Sequence, residues 1–344
     1  MTRAAEFTAE LIRTTSRGLA GLSTARLFEK IEGAESRYGD DGFDSWRQAL
    51  GARLEALASA LEADDPSLFT EDMVWFRAVI TSRDVGEEDV VVALNSMQET
   101  LAAQLPGAAD SSIGRFFDAA RESLAEPGPQ ARGLDPASRA NELFELALLG
   151  DLSSARNYLI DGVREGTFSL EEAVVEILLP AAREAGRRWH VGEMGVAAEH
   201  VITATLRSAL HGLTAAQSPA ERNGKAVLVA AVPGDAHDTG LVAFALLLEQ
   251  DGWRVALAGA DTPANELDVT AAAYNCDLIA LSATLVAQRY ALSSYLGDRS
   301  GEIPVLVGGA AVRGEEDAHK LGAQGFAPDL VQGLGAARAL VGLS

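Results

Sequence analysis

The feature that most constrains the fold is a regular alternation of short apolar runs and helical stretches in the last third of the chain. The apolar runs cover residues 226–232, 254–258, 278–281, 305–307 and 325–327. The helical stretches between and after them cover residues 241–250, 264–273, 287–296, 315–321 and 335–340. Strands that are apolar throughout and alternate with helices are typical of a parallel sheet covered on both faces. The sequence therefore predicts a flavodoxin-like, Rossmann-type α/β domain over residues 223–344.

A glycine-bearing loop, residues 234–240, joins the first predicted strand to its helix. Loops at the carboxyl ends of parallel strands line the crevice where open α/β sheets bind ligands. His237 in this loop can bind a metal through one ring nitrogen while the other donates to Asp235, two residues earlier. Gly240 leaves space where another residue would place a side chain. We therefore expect the chemistry of the chain at this loop.

The loop carries a motif that resembles a known cofactor signature. Asp235-x-His237-x-x-Gly240 is similar to the signature of cobalamin-binding domains of the methionine synthase and methylmalonyl-CoA mutase type, which continues with a serine and a Gly-Gly pair. Here 41 residues separate Gly240 from Ser282, and 25 separate Ser282 from Gly308-Gly309. Both distances are similar to those of the family, and each part follows a predicted strand.

The resemblance implies that cobalamin binds with its dimethylbenzimidazole base displaced from cobalt and with His237 as the lower axial ligand. Ser282 would bond the displaced base, and Gly308-Gly309 would leave space for the nucleotide tail. The family has leucine two residues after the serine, where this chain has Thr284 followed by Leu285, and both are expected at the cofactor. The other residues expected at the pocket are Asp235, Ala236, Asp238, Thr239, Gly240 and Asp261.

The charge, hydrophobicity and cysteine content of the chain exclude several classes of protein. The chain has 344 residues, enough for two or three domains, and a formal net charge of −22. This charge opposes nucleic-acid binding, because such proteins need Lys and Arg to replace phosphate counterions. No run approaches a transmembrane length and the N-terminus does not resemble a signal peptide, so we expect a cytoplasmic protein without a membrane or nucleic-acid partner. The single Cys276 excludes an internal disulfide and a cysteine zinc site, and is expected to be a small buried side chain.

Apolar residues recur at helical spacing through residues 1–127, which predicts an all-helical domain. The segment 75–106 is similar to the N-terminal halves of bacterial sensory regulators that have a globin-like domain without haem. All five histidines lie beyond residue 189, so this domain has no proximal histidine for haem. The whole-chain resemblance to photocobilins implies biliverdin as a second chromophore, bound non-covalently because this half has no cysteine. By itself, the apolar periodicity favours a dimerisation or packing domain with no ligand.

Residues 126–130, with two prolines and a glycine, form the clearest boundary in the sequence. Beyond it, helical patterns cover residues 138–149, 153–165, 169–188 and 195–216. Ser153 and Ser169 are the expected N-caps of the second and third helices. The short loops between the helices predict an antiparallel four-helix bundle over residues 134–220.

The turn between the third and fourth of these helices holds a second motif. Trp189 is followed by nine residues and then Glu199-His200, which resembles the Trp-x9-Glu-His-His motif of CarH-type cobalamin photoreceptors, with Val201 in place of the second histidine. The resemblance implies that the bundle caps the upper corrin face, where Trp189, Glu199 and His200 enclose the 5′-deoxyadenosyl group. An indole supplies a rigid apolar wall, and the Glu and His side chains can hydrogen-bond the polar edge of that group. His190 matches the residue that takes the upper axial position after the adenosyl group leaves.

The two motifs together predict a non-enzymatic light sensor that binds adenosylcobalamin through His237. Breaking of the cobalt–carbon bond by light would change the structure or the assembly of a homo-oligomer. The sequence shows no output domain, and two routes for the signal stay open: the assembly of the oligomer itself and a separate output protein. Two alternatives stay open: a corrinoid methyl carrier that serves a separate methyltransferase, and a cobalamin-binding regulator without photochemistry.

Overall fold

The computed structural model describes residues 3–83, 85–105, 107–126, 133–218 and 220–343. The chain forms two compact units, the first of residues 1–130 with 190–192 and the second of residues 131–189 with 193–344. Of the boundary expected at residues 126–130, all but residue 126 lie outside the described residues. Within the described ranges, no helix is both long enough and apolar enough to cross a membrane.

The described part of the first unit is helical, which confirms the sequence prediction for this region. Its helices are α1 (Arg3–Lys30), α2 (Ala34–Tyr38), α3 (Gly42–Ala63), α4 (Pro66–Thr81), α5 (Glu87–Gln104) and α6 (Gly107–Ala125). Asp65 caps α4 by accepting the Ser67 N–H, directly before the proline that opens the helix. Helices α3 and α4 share an aromatic contact in which the Trp46 and Phe76 ring centroids lie 6.1 Å apart.

The second unit begins with a helical bundle. Its helices are α7 (Arg139–Leu148), α8 (Leu152–Arg164), α9 (Leu170–Glu172), α10 (Leu179–His190) and α11 (Val196–Ala216). Ser169 caps α9 through a capping box with Glu172, as expected. The prediction that Ser153 caps α8 is wrong, because the Asp151 carboxylate accepts the N–H groups of both Ser153 and Ser154.

The third helix expected in the bundle is not a uniform α-helix. Residues Ala173–Leu178 form a π-helical segment between α9 and α10. Pro180 follows this segment closely. Proline has no N–H to donate and its ring displaces the carbonyl four residues back, so a widened turn accommodates it. Helix α9, the π-helical segment and α10 follow one another without a gap, so together they form the third helix of the bundle.

The rest of the second unit is a five-stranded parallel sheet in the order β2-β1-β3-β4-β5. Its strands are β1 (Ala226–Ala231), β2 (Arg254–Gly259), β3 (Leu278–Ser282), β4 (Val305–Gly308) and β5 (Gly325–Ala327). The helices that connect and follow them are α12 (Thr239–Gln250), α13 (Ala264–Ala273), α14 (Arg289–Asp298), α15 (Glu315–Leu321) and α16 (Leu330–Leu340). Buried apolar clusters cover both faces of the sheet, and Cys276 is buried.

This arrangement confirms a Rossmann-like parallel sheet. The strand order reverses direction beside β1, because β2 lies on one side of β1 and β3 on the other. Such a switch point opens a crevice at the carboxyl ends of the strands. The loops that follow β1 and β3 therefore border the expected binding crevice.

Candidate functional site

His237 stands on the loop between β1 and α12, at the carboxyl edge of the sheet. Its side chain is 56% exposed, whereas the side chain of Asp235 is fully buried. His237 Nδ1 lies 2.9 Å from Asp235 Oδ1 and donates to this carboxylate. In the neutral ring, Nε2 then carries the lone pair, and it has no hydrogen-bond partner among the described residues. This is the form in which an imidazole binds a metal.

The Asp235 carboxylate is held by backbone N–H groups as well. It accepts from His237 N at 3.0 Å and from Thr284 N at 2.8 Å. Burial disfavours ionisation of Asp235, but the hydrogen bonds from His237 and Thr284 outweigh it, so the pKa of this carboxyl is lowered. The hydrogen bond from Asp235 raises the pKa of His237 above its ordinary value, although partial burial opposes this. The pair therefore consists of an ionised carboxylate and an imidazole of increased basicity.

Gln288 joins the loops that follow β1 and β3. Its Oε1 accepts from Thr284 N at 3.1 Å and from Leu285 N at 2.8 Å, and its Nε2 donates to Gly234 O at 3.0 Å. The side chain is buried and lies on a single 3-10 turn, Val286–Gln288. Sequence reasoning missed this residue, since a lone glutamine on one turn gives no periodic signal. Its position six residues after Ser282, at the same sheet edge, was the one available indication.

Asp261 lies on the loop after β2 and contacts the same region. Its Oδ1 accepts from Gly234 N at 2.7 Å, and its own N–H donates to Asp235 O at 2.9 Å. Its φ of 46° lies in the left-handed region, which aspartate tolerates better than most residues. The structure thus brings Asp261 to the His237 loop, and its contact with a cofactor stays a prediction.

Ser282 and the Gly-Gly pair are neighbours across two strands. Ser282 ends β3 in register with Gly308 at the end of β4. Gly309 has a φ of 94°, and a Cβ at this position would overlap the carbonyl oxygen of Ala283. Glycine is therefore required at position 309, because both the backbone conformation and the close approach exclude a side chain. Gly309 is exposed, and its contact with the displaced base stays a prediction.

The second motif, Trp189 with Glu199-His200, lies at the ends of two bundle helices. Trp189 is partly buried in the last turn of α10, whereas Glu199 and His200 lie in the first turns of α11. The side chain of His200 is 72% exposed, and that of Glu199 is 23% exposed. After Asp235, the negative charge of Glu199 also contributes to the raised pKa of His237. Glu199 and His237 therefore face the same region of the second unit.

Arg207, which sequence reasoning missed, links the bundle to the His237 loop. Its Nη2 lies 2.7 Å from Asp238 Oδ2. Arg207 comes two helical turns after Glu199 on α11, a spacing that could have indicated it. The ion pair is partly exposed, since 43% of the Arg207 side-chain surface is accessible to solvent. Its main effect is therefore to orient α11 and the loop rather than to add much stability.

His190 ends α10 and groups with the first unit. Its Nε2 lies 3.1 Å from Trp75 O, and since a carbonyl only accepts, Nε2 is the donor. The His190 and Trp75 ring centroids are 5.3 Å apart. Burial lowers the pKa of His190, although the hydrogen bond to Trp75 O opposes this. In this conformation Nε2 of His190 is engaged by the protein itself.

The surfaces around His237 suit a corrin. No atom lies within 4 Å of the position that a Cβ on Gly240 would take. Leu285, which follows the Thr284 N–H bonded to Asp235, is 44% exposed. A macrocycle supplies the equatorial ligands of its metal, so one axial imidazole is enough. The donor, the open space at Gly240 and the exposed apolar side chain of Leu285 therefore fit cobalamin.

Comparison with known proteins agrees with this chemistry. Residues 225–334 match the B12 binding domain family, and residues 139–213 match a second B12 binding domain family. The HTH-type transcriptional repressor CarA of Myxococcus xanthus is 37% identical over 151 residues, which are 43% of this chain and 50% of CarA. The HTH-type transcriptional repressor CarH of the same organism is 35% identical over 156 residues, 42% of this chain and 49% of CarH. The chain spans about half the length of these curated relatives.

Among solved structures, the monomethylamine corrinoid protein of Methanosarcina barkeri resembles this chain with a TM-score of 0.52 and 14% sequence identity. The match covers 60% of this chain and all of that protein, and at this identity it shows a shared fold. The two family matches lead to one conclusion: residues 139–213, which are helical, and residues 225–334, which form the Rossmann-like sheet, are B12 binding domains.

Proposed function

We propose that the chain is a light sensor that binds adenosylcobalamin with its nucleotide base displaced from cobalt and His237 as the lower axial ligand. The observation that carries this proposal is the exposed imidazole of His237, whose Nδ1 is held 2.9 Å from the buried Asp235 carboxylate. The Trp189 motif on the bundle of the same unit supports the adenosyl form. The similarity to the repressors CarA and CarH supports a regulatory rather than an enzymatic role.

Bound adenosylcobalamin would supply a cobalt–carbon bond that green light breaks. The residues of this chain then have separate tasks. His237, oriented by Asp235, would bind cobalt, and Ser282 with Gly308-Gly309 would hold the nucleotide base and tail. Trp189, Glu199 and His200 would enclose the adenosyl group from the bundle, and His190 would supply a second nitrogen donor. The bundle and the assembly state of a homo-oligomer change as a result.

A dark titration followed by illumination tests the proposal. The purified protein is titrated with adenosylcobalamin in darkness, then exposed to green light while its visible spectrum and its elution volume are recorded. We expect tight binding in the dark, a light-dependent spectrum and a changed elution volume. His237→Ala should lose binding, while His319→Ala is the matched control, because His319 is an exposed residue on α15. Equal binding by wild type and His237→Ala would contradict the ligand assignment.

The similarity in fold to a corrinoid protein supports a second candidate function, that of a methyl carrier for a separate methyltransferase. A carrier has no use for a wall shaped for adenosyl. It should bind methylcobalamin at least as well as adenosylcobalamin, and its assembly should not respond to light. A cobalamin-binding regulator without photochemistry would bind adenosylcobalamin but keep its elution volume under illumination.

For the first unit we propose a globin-like domain that binds biliverdin without a covalent bond. Its helical core and the absence of cysteine from residues 1–130 agree with this. Adding biliverdin to the protein should produce a far-red absorption band, and the lack of a band would leave a packing or dimerisation role. We further propose that the protein works in the cytoplasm through a separate output protein, without membrane or direct nucleic-acid contact, as the net charge of −22 favours.

A further inference from the structure

The amino edge of the sheet, at the opposite end of the strands from His237, has an open cavity of about 370 Å³. It lies where three neighbouring strands begin, because Lys225 precedes β1, Arg254 opens β2 and Asp277 precedes β3. All the residues that line it belong to the second unit. A cavity of this volume is in the range of small-molecule binding sites.

The residues that line this cavity carry more positive than negative charge. They include the cations Arg222, Lys225 and Arg254, whereas Asp277 is the one acid among them. Lys225 Nζ lies 3.3 Å from Asp277 Oδ1, so this carboxylate offsets one of the three cations. The C-terminus of α13, next to Arg254, contributes about half a negative charge. A positive charge of roughly one and a half remains at the cavity, although the formal net charge of the chain is −22.

Both guanidinium groups at the cavity are held by backbone carbonyls. Arg222 Nη1 donates to Trp253 O, and Arg254 Nη2 donates to Asn275 O at 3.2 Å. Among the residues that the structure describes, neither arginine is paired with a carboxylate. A guanidinium has five N–H donors, so each arginine keeps donors for a further acceptor. A carbonyl orients a guanidinium without neutralising its charge, and the two groups are therefore available to an anion.

The remaining lining residues make the cavity suitable for more than a bare anion. Gly224 has no atom within 4 Å of the position that a Cβ would take, so space is open there. The exposed Asn275 carries an amide that can both donate and accept hydrogen bonds. One water takes about 30 Å³ of the liquid, and a phosphate ion is only a few times larger. Phosphate alone would thus fill part of the cavity and leave the rest for an organic group.

We propose that this cavity binds a small phosphomonoester whose phosphate contacts Arg222, Lys225 and Arg254 and whose polar organic part reaches Asn275. Guanidinium groups match two phosphate oxygens at once, and an ammonium group adds a compact charge. The site does not depend on the cobalamin proposal, because it lies at the other end of the strands and needs none of the residues around His237.

Calorimetric titration of the full chain without cobalamin tests the proposal, with ribose 5-phosphate, ribose and inorganic phosphate as probes. Ribose 5-phosphate should bind at least about tenfold more tightly than ribose, because the charge-assisted bonds to its phosphate are lost in ribose. It should also bind several-fold more tightly than inorganic phosphate. Equal affinity for ribose 5-phosphate and ribose would overturn the proposal. Equal affinity for ribose 5-phosphate and inorganic phosphate would overturn the binding of an organic part.

Charge variants place the binding at this cavity. Arg222→Gln and Lys225→Gln should each weaken ribose 5-phosphate binding about tenfold. Arg156→Gln is the matched control, since Arg156 is exposed on α8 and its loss changes the net charge equally. Unchanged affinity in both cavity variants would overturn the site.

Asp277→Asn separates a charge effect from damage to the fold. Its amide oxygen can still accept the Ala226 N–H, which Asp277 Oδ2 now accepts at 2.9 Å. Removing the carboxylate that competes for Lys225 should strengthen ribose 5-phosphate binding about threefold, whereas structural damage would weaken it. Weaker or unchanged binding by Asp277→Asn would contradict the proposal. Because cobalamin is absent throughout, a failure of these titrations leaves the proposed function untouched, and a failure to bind cobalamin leaves this site untouched.

Discussion

Replacing Asp235 by asparagine tests how the His237 site works, because the substitution keeps the shape of the side chain and removes its charge. The carboxylate accepts hydrogen bonds from His237 N, His237 Nδ1 and Thr284 N. An asparagine offers one acceptor oxygen and one NH2 donor at the same place. In either orientation of the amide, at least one of the three N–H groups faces another donor.

The magnitude follows from these contacts. One buried N–H left without an acceptor costs about 1–3 kcal/mol, and the remaining bonds weaken because charge-assisted hydrogen bonds are about twice as strong as neutral ones. We expect the free energy of unfolding of the cofactor-free protein to fall by about 2–4 kcal/mol. Loss of the carboxylate that orients a metal-binding imidazole typically costs about 10- to 100-fold in affinity. Dark affinity for adenosylcobalamin should therefore fall by about that factor.

Urea denaturation followed by circular dichroism measures the first effect, and a dark titration followed by absorbance measures the second. Asp151→Asn is the control, since Asp151 accepts two backbone N–H groups at the N-terminus of α8 and asparagine caps helices about as well as aspartate. The control should change neither quantity. If Asp235→Asn bound adenosylcobalamin with wild-type affinity, Asp235 would not be orienting the cobalt ligand.

Three further predictions concern the same edge of the sheet. Gly309→Ala should lower the free energy of unfolding by about 2–5 kcal/mol, because its φ of 94° strains alanine and the new Cβ overlaps Ala283 O; an unchanged urea midpoint would contradict this. Arg207→Gln, which breaks the ion pair with Asp238, should cost less than about 1 kcal/mol in stability but several-fold in dark affinity, and a loss of stability alone would contradict its orienting role. The Asp235 hydrogen bond raises the pKa of His237 above its ordinary value of about 6.5. Below this raised pKa, protons should compete with cobalt for the imidazole, so the affinity for adenosylcobalamin should fall about tenfold per pH unit. Above the raised pKa the affinity should be constant. A flat affinity profile between about pH 5 and about pH 9 would contradict this last prediction.

The coarse fold could be predicted because its signals are local and repeated. The five strands begin at the predicted residues, with ends that differ by at most one residue, and the parallel order follows from the βα alternation. His237 and Asp235 could be paired from their two-residue separation alone, because such a spacing lets a carboxylate reach the ring of a neighbouring histidine. Sequence reasoning therefore placed His237 and Asp235 correctly in relation to each other.

What could not be predicted depends on contacts between distant residues or on competition between neighbours. Gln288 connects two loops through three hydrogen bonds, and a single residue of this kind leaves no pattern in the sequence. Asp151 displaced Ser153 as the cap of α8 because its carboxylate reaches two N–H groups at once. The hydrogen bond from His190 Nε2 to Trp75 O joins residues 115 positions apart, and its acceptor is a backbone atom that every residue possesses.

The most direct test of the central claim is electron paramagnetic resonance of the protein loaded with cob(II)alamin, prepared with natural-abundance and with ¹⁵N-labelled histidine. One axial nitrogen splits the cobalt signal into triplets when it is ¹⁴N and into doublets when it is ¹⁵N. Ligation by His237 predicts triplets that become doublets on labelling, and predicts that His237→Ala loses this response. Triplets that persist with labelled histidine would show that the dimethylbenzimidazole base still occupies cobalt, and the assignment of His237 would be wrong.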